Sequence, residues 1–329
     1  MPHPSPVLHL VTTPGSPDYA LLDSGAGRKL ERFGAIIVDR PEAQAIWQPR
    51  LTRPEWGKAH AAFSASGEDD EKGKWRVDKP VPESWPVRLE VGDGDRVTML
   101  CKLSGLWHLG LFPEQMPHWT WMVERLGVSS SPVSPEASLR LDAEEEERRR
   151  VLNLFGYTGA ASLIAAANGA EVVHVDASKK AVAWGRENQA ASGLGERPVR
   201  WICEDARKFV AREVRRGRTY HAILVDPPKF GRGPDGEVWD LFAHLPALLA
   251  DCARLLAPER AHLILTAYAI RASALMLDGL MRETLADRGG TIESGELALA
   301  ENPFAGQPLT DHAGGRLIGT SLYSRWSAT

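Results

Sequence analysis

Four short segments carry residue types that can hold a nucleotide-like ligand, and each follows an apolar run. Gly156-Tyr157-Thr158-Gly159 comes after Val151-Leu152-Asn153-Leu154-Phe155 and before an alanine-rich stretch. A glycine turn lets the backbone approach a ligand closely, and the N-terminus of the next helix offers free N–H groups to a carboxylate. Asp176 closes the next apolar run, about 20 residues beyond that turn, where a carboxylate can hold a ribose diol. Glu204-Asp205-Ala206 follows a third run, and Asp205 can accept a hydrogen bond from an adenine amine. Asp226-Pro227-Pro228-Lys229-Phe230 follows a fourth; its prolines stiffen a backbone that offers a carboxylate and carbonyl oxygens to a reacting group.

Taken singly, most of these have a plainer reading. Gly156 and Gly159 fit an ordinary β–α turn, and Asp176 or Asp205 fits a helix cap. Two prolines directly after a buried strand are harder to explain that way. Four such signals at four successive strand ends argue against coincidence.

The elements that must position them alternate from Val151 onward. Strands are predicted at 151–155, 171–175, 199–202, 221–225 and 262–266. Helices are predicted at 160–168, 179–192, 206–216, 245–256 and 272–285. Short connections between them imply a parallel, doubly wound α/β sheet, whose ligands bind beyond the carboxyl ends of the strands. Two late runs, 291–299 and 317–326, suggest a closing antiparallel hairpin.

Before residue 128 the pattern differs. Strands are predicted at 35–38, 87–91 and 97–103, and a helix at 118–126 ending at Gly127. SASGEDDEKGKW (64–75) reads as an exposed loop. Seven of the eleven tryptophans precede residue 122, which suits a small β-rich core. SSSPVSPEAS (129–138) reads as a linker, and the all-charged run at 144–150 as a solvated helix. The division is therefore a small β-rich N-terminal domain (1–128), a linker with a charged helix (129–150) and a ligand-binding α/β domain (151–329).

Composition excludes several classes. Hydrophobic residues make up 43% and charged residues 25%, ordinary for a globular protein. No apolar run approaches the roughly 18 to 20 residues of a membrane helix. The N-terminus shows no secretion signal. Cys101, Cys203 and Cys252 are far apart, so neither a disulfide framework nor a metal site is expected, and a cytoplasmic location fits. The net charge of −4 argues against a whole-surface nucleic-acid binder. The G-x-G-x-x-G turn of dinucleotide folds is missing, with bulk where two glycines should stand. Walker, G-x-S-x-G and zinc-spaced motifs are missing too.

The segments VLNLFGYTGAAS (151–162), VVHVDASKKAV (172–182), WICEDARKF (201–209) and ILVDPPKFGRG (223–233) resemble class I S-adenosylmethionine-dependent methyltransferases related to the bacterial large-subunit rRNA cytosine methyltransferases. The similarity covers 151 to about 266 and extends back to Leu109–Gln115, similar to the family's segment that leans over the cofactor. The resemblance implies that S-adenosyl-L-methionine is the cofactor. Asn153, Phe155, Tyr157, Thr158 and Gly159 would cradle its methionine end, with Phe112 and Gln115 over it. Asp176, with Ala177 and Ser178 beside it, would bind the ribose, and Asp205 with Ala206 the adenine. Asp226 and Pro227 would border the transfer site.

The sequence departs from that family after the fifth strand. Leu265-Thr266-Ala267-Tyr268-Ala269-Ile270 holds no cysteine, whereas methylation of a base carbon needs a covalent nucleophile. Neither Cys203 nor Cys252 is expected at a strand end facing the site. The N-terminal part shows no RNA-binding module of the kind common in that group. Direct in-line transfer to a nitrogen is therefore expected, with Phe230 stacking on an extruded base and Trp239 closing over it, or both simply packing. RNA is the first expected partner; a protein or small-molecule acceptor, or a cofactor-binding protein without activity, is the alternative. The basic residues Arg207, Lys208, Arg212, Arg215, Arg216 and Arg218 fit RNA contacts or an exposed helix face equally well.

Overall fold

The computed structural model describes residues 6–13, 15–66, 69–105, 107–127, 149–268, 270–302 and 315–328. The linker 129–138 and residues 144–148 of the charged run lie outside them.

The strands before residue 110 are β1 (Leu8–Thr13), β2 (Tyr19–Gly25), β3 (Arg28–Phe33), β4 (Ile36–Pro41), β5 (Ala61–Ser66), β6 (Asp69–Val77), β7 (Trp85–Leu89) and β8 (Val97–Cys101), with the one-turn helix α1 (Arg53–Trp56) between β4 and β5. A 3₁₀ turn (Pro113–Gln115) leads into α2 (Met116–Leu126), which stops at Gly127 in the left-handed region. Then β9 (Arg150–Leu154), α3 (Ala160–Ala167), β10 (Glu171–Asp176), α4 (Lys179–Ala191), β11 (Val199–Cys203), α5 (Ala206–Arg215) and β12 (Ala222–Val225) alternate. The chain continues through β13 (Phe230–Arg232), β14 (Val238–Asp240), α6 (Leu241–Leu255), β15 (His262–Tyr268), α7 (Ala274–Thr284), β16 (Thr291–Ala300) and β17 (Leu317–Ser327).

The large sheet runs β1-β16-β17-β15-β12-β9-β10-β11. Its five strands from β15 to β11 are parallel, and β17 runs antiparallel to both β15 and β16. This is the class I methyltransferase sheet, with the expected closing hairpin. Strand order reverses between β9 and its neighbours β10 and β12, which opens a crevice there. Val151, Leu152, Leu154, Ile223 and Val225 are fully buried, as parallel strands covered on both faces require.

The N-terminal strands build a five-stranded sheet in chain order, β2 to β6, and a separate β7–β8 hairpin. The expected loop at 64–75 is instead parts of β5 and β6, paired antiparallel. β6 lies at the sheet's edge, where a strand needs no alternating apolar face to hold its place. β1 leaves this region and pairs parallel with β16. The hairpin is tied to α4: Asn188 Oδ1 accepts from Leu100 N–H at 2.8 Å, and Trp184 Nε1 donates to Leu100 O at 2.7 Å. One apolar core runs continuously from Tyr19, Phe33 and Val38 through Trp85 and Met99 to Leu163 and Ile164 of α3. Trp85, Trp119 and Trp121 are buried in it. Among the described residues no helix is long and apolar enough to cross a membrane.

Candidate active site

Register brings the four segments to one edge of the sheet. Leu154 pairs with Val175 and with Val225, and Asp176 pairs with Cys203. Phe155, Asp176 and Asp226 therefore leave their strands side by side. They line a cavity of about 570 Å³ together with Asn153, Tyr157, Thr158, Ala177 and Ser178, a size suited to a cofactor. A smaller recess beside it is walled by Glu204, Asp205, Ala206 and Trp239.

The turn after β9 is strained into shape. Phe155 and Tyr157 have φ of +56° and +50°, a region that costs a non-glycine residue about 1–3 kcal/mol. Asp176 holds it: its Oδ2 accepts from Tyr157 N–H and its Oδ1 from Ser178 N–H, both at 2.8 Å. Burial raises the Asp176 pKa against these two bonds. Gly156 has no room for a side chain, because a Cβ would lie 2.5 Å from the His174 ring. Behind the turn Asn153 Nδ2 donates to Ser162 Oγ at 2.9 Å, and Ser162 Oγ meets His174 Nδ1 at 3.0 Å. Burial pulls the His174 pKa down to about 3, leaving the ring neutral.

Asp226 follows β12 directly and lines the cavity. Thr266 Oγ1 and Gln115 Nε2 both donate to its carboxylate, the latter at 3.2 Å. Burial pushes its pKa up to about 6 against the Thr266 bond. Phe112 reaches over the turn, its ring 5.6 Å from that of Tyr157 and 6.5 Å from that of Tyr268. The 109–115 segment is thus held over the cavity, anchored where Thr158 Oγ1 donates to Gly110 O at 2.5 Å.

Not every expected residue meets the cavity. Thr158 lines it but spends its hydroxyl on Gly110. Gly159 starts α3 at φ +87°, against Trp201 and off the cavity wall. Asp205 caps α5 by accepting from Lys208 N–H at 3.1 Å, while also walling the smaller recess. Pro227 is buried and Phe230 is 60% exposed; neither lines the cavity.

Trp239 lies off the larger cavity and forms a fixed wall of the smaller recess. It is 3% exposed, packs 4.9 Å from Phe155, and donates from Nε1 to Pro228 O at 2.6 Å. Its role is to support the Asp226-Pro227-Pro228 backbone. Trp239→Phe is expected to lose about 1–2 kcal/mol of stability in urea denaturation, with cofactor affinity nearly unchanged. Lost turnover at full stability would restore the closing role instead.

Cys203 ends a strand, β11, but does not line the cavity. Its Sγ donates to Ala177 O at 3.5 Å. Cys101 and Cys252 are buried, and among the described residues no cysteine lines the cavity. The basic residues of α5 are largely spent: Arg212 pairs with Glu204, Lys208 with Glu237 and Arg216 with Glu213, while Arg215 and Arg218 are exposed.

No local sequence signal marks Lys29, Glu42, Trp107, His108, Tyr268 and Thr320, which also line the cavity. They come from the N-terminal sheet, the segment before Leu109, and the ends of β15 and β17. Only the tertiary fold brings them together.

A solved S-adenosylmethionine-dependent methyltransferase from Agrobacterium tumefaciens is 45% identical, with a TM-score of 0.86, over 98% of this chain and 96% of that one. This chain belongs to the S-adenosylmethionine-dependent methyltransferases. The model of that family matches residues 137–286, which contain all four strand-end segments. The ribosomal RNA large subunit methyltransferase K/L of Shewanella baltica (strain OS195) is 36% identical over 121 residues, which is 36% of this chain and 17% of that protein. The chain thus spans about a sixth of the length of such relatives. It is a methyltransferase and its cofactor is S-adenosylmethionine; the residues present fit that molecule. Gly156 lets the turn pack directly on the His174 ring beside the cavity, and Asp176 lines that cavity with lone pairs to spare for a ribose diol beside its two backbone bonds. Among the described residues no cluster of His, Cys, Asp or Glu could hold a metal.

Proposed function

We propose that this methyltransferase modifies a nitrogen of an RNA base by direct in-line transfer. The observation that carries the proposal is the transfer end itself, where Asp226 faces a cavity lined by aromatic rings and, among the described residues, by no cysteine. The cofactor's sulfonium supplies a methyl group that is already activated. The protein's task is to hold the acceptor in near-attack geometry, which can be worth roughly 7–11 kcal/mol. Asp226, fixed by Thr266 and Gln115, orients an acceptor N–H. Trp107, Phe112, Tyr157 and Tyr268 offer ring faces to a planar base taken out of its stack. Asn153, Phe155 and Tyr157 hold the methionine end, Asp176 with Ala177 and Ser178 the ribose, and Asp205 with Ala206 the adenine. Exposed Phe230 stacks on a neighbouring base at the rim.

The similarity to ribosomal RNA methyltransferases supports RNA as the acceptor, with the cytoplasm as its place of action. Residues 1–128 supply the acceptor side, 129–150 the connection and 151–329 the cofactor domain. β1 is the exception, lent to the larger sheet.

The test is transfer of labelled methyl groups from S-adenosylmethionine to the RNA, protein and metabolite fractions of cells lacking the gene. Label in RNA at a ring nitrogen or exocyclic amine is expected. Label confined to protein or metabolites rejects RNA, and label on a base carbon rejects the in-line mechanism.

A further inference from the structure

The cavity continues past Asp226 beneath the N-terminal sheet, where Lys29, Glu42, Trp107, His108 and Glu114 line it. Most charges there are already engaged. Lys29 Nζ binds Glu42 Oε2 at 3.2 Å and lies 5.2 Å from the centre of the Trp107 ring. Arg40 binds Glu31 at 2.6 Å and donates to Trp107 O, and Tyr19 OH donates to Glu31 at 2.9 Å. His108 is neutral, since burial pulls its pKa down to about 3.

Glu114 differs. Among the described residues no other side chain hydrogen-bonds its carboxylate. Asp226, by contrast, already accepts from Thr266 and Gln115. The groups that act on Glu114 are Lys29 and Glu31 of β3, Arg40 of β4, Tyr19 of β2 and its own backbone N–H, which donates to the carboxylate. Burial, aided by the negative charge of Glu31, outweighs the two cations and that backbone bond and pushes its pKa up to about 7. A group with that value can take a proton and give it back to water near neutral pH.

We infer that Glu114 is the proton acceptor of methyl transfer, facing the N–H of the acceptor from the wall beneath the N-terminal sheet. This rests on a nitrogen acceptor, as proposed above. The nitrogen lone pair forms the new N–C bond, and the electron pair of the breaking S–C bond returns to sulfur. The N–H proton passes to the Glu114 carboxylate and then to water. The positive charge of the donor and the negative charge of Glu114 are both cancelled, which a low-dielectric chamber favours.

The first test needs no acceptor. S-adenosylmethionine and S-adenosylhomocysteine differ by the sulfonium charge, which should deprotonate a nearby half-protonated carboxylate. Calorimetric binding of each at pH 7, in two buffers of different ionisation enthalpy, counts the protons released. The wild type is expected to release more protons with the methionine form, and Glu114→Gln to lose most of that difference. The second test is methyl transfer to total RNA from cells lacking the gene, between pH 5.5 and 9. Glu114→Gln is expected to lower kcat roughly 10²-fold, to remove the inflection near pH 7, and to leave KM for the cofactor within about twofold of the wild-type value. Glu114→Asp keeps a carboxylate and should recover part of the rate and the proton release.

The inference is overturned if Glu114→Gln keeps the wild-type rate and pH profile, or if its proton release matches the wild type. If the wild type labels protein or metabolites instead, RNA falls and Glu114 is judged by the same comparison on that fraction. If the wild type labels no fraction, both ideas fall.

Discussion

Asp226→Asn should melt above the wild type at pH 8 while its turnover falls by roughly 10²–10³-fold. The two effects share one cause. Burial raises the folded-state pKa of Asp226 to about 6, above the ordinary carboxylate value of about 4. Between those pH values the folded protein binds more protons than the unfolded chain, so stability falls as pH rises through the window. Asparagine has no charge to bury. Its advantage is absent below about pH 4, grows to about pH 6, and persists at higher pH. Thr266 can still donate to the asparagine oxygen, and Gln115 can turn its amide to pair with the new N–H₂, so the local bonds survive. What is lost is the carboxylate proposed to orient the acceptor N–H. The measurement pairs thermal melts at pH 4 and pH 8 with kcat and calorimetric cofactor binding at pH 8. Turnover within threefold of wild type, with the cofactor still bound, would remove Asp226 from the mechanism.

Some of this site was legible from sequence because of how parallel sheets are built. The strands β9, β10, β12 and β15 are buried on both faces and read largely as apolar runs, so the last residue of each can be found by inspection. In-register pairing then aligns the residues just beyond, which is why Phe155, Asp176 and Asp226 meet. The acceptor wall was not legible, for the opposite reason. Lys29 and Glu42 come from the antiparallel β3–β4 pair and the turn after it, over a hundred positions before the glycine turn, and no spacing rule links them to it. Glu114 lies inside the 109–115 segment, where the family resemblance marks Phe112 and Gln115 instead, and its isolation from other side chains is visible only in three dimensions. β6 reads as a loop in the sequence because its polar, glycine-containing run lacks a buried-face pattern. Trp239 shows the limit for aromatic residues: its type fits a stacking lid and a core filler equally, and only burial decides.

The second large effect is expected at Asp176. Asp176→Ala should raise the calorimetric Kd for S-adenosylmethionine by roughly 10²–10³-fold while costing the unliganded protein only about 1–2 kcal/mol. The carboxylate joins two turns, one oxygen on Tyr157 N–H and the other on Ser178 N–H. Without it Tyr157, at φ +50°, loses the bond that helps to hold its unfavourable conformation, and the turn can relax away from the shape that the methionine end requires. The ribose diol, bound as proposed, loses its acceptor in the same change; each charge-assisted bond is worth about 1.5–3 kcal/mol. Stability suffers less because Ser178 is exposed and Tyr157 faces the cavity, so both freed N–H groups can reach water. Asp176→Asn, which keeps one acceptor oxygen, should fall between the two. A Kd within fivefold of wild type for Asp176→Ala would mean that the carboxylate serves the turn alone and that the ribose is held elsewhere.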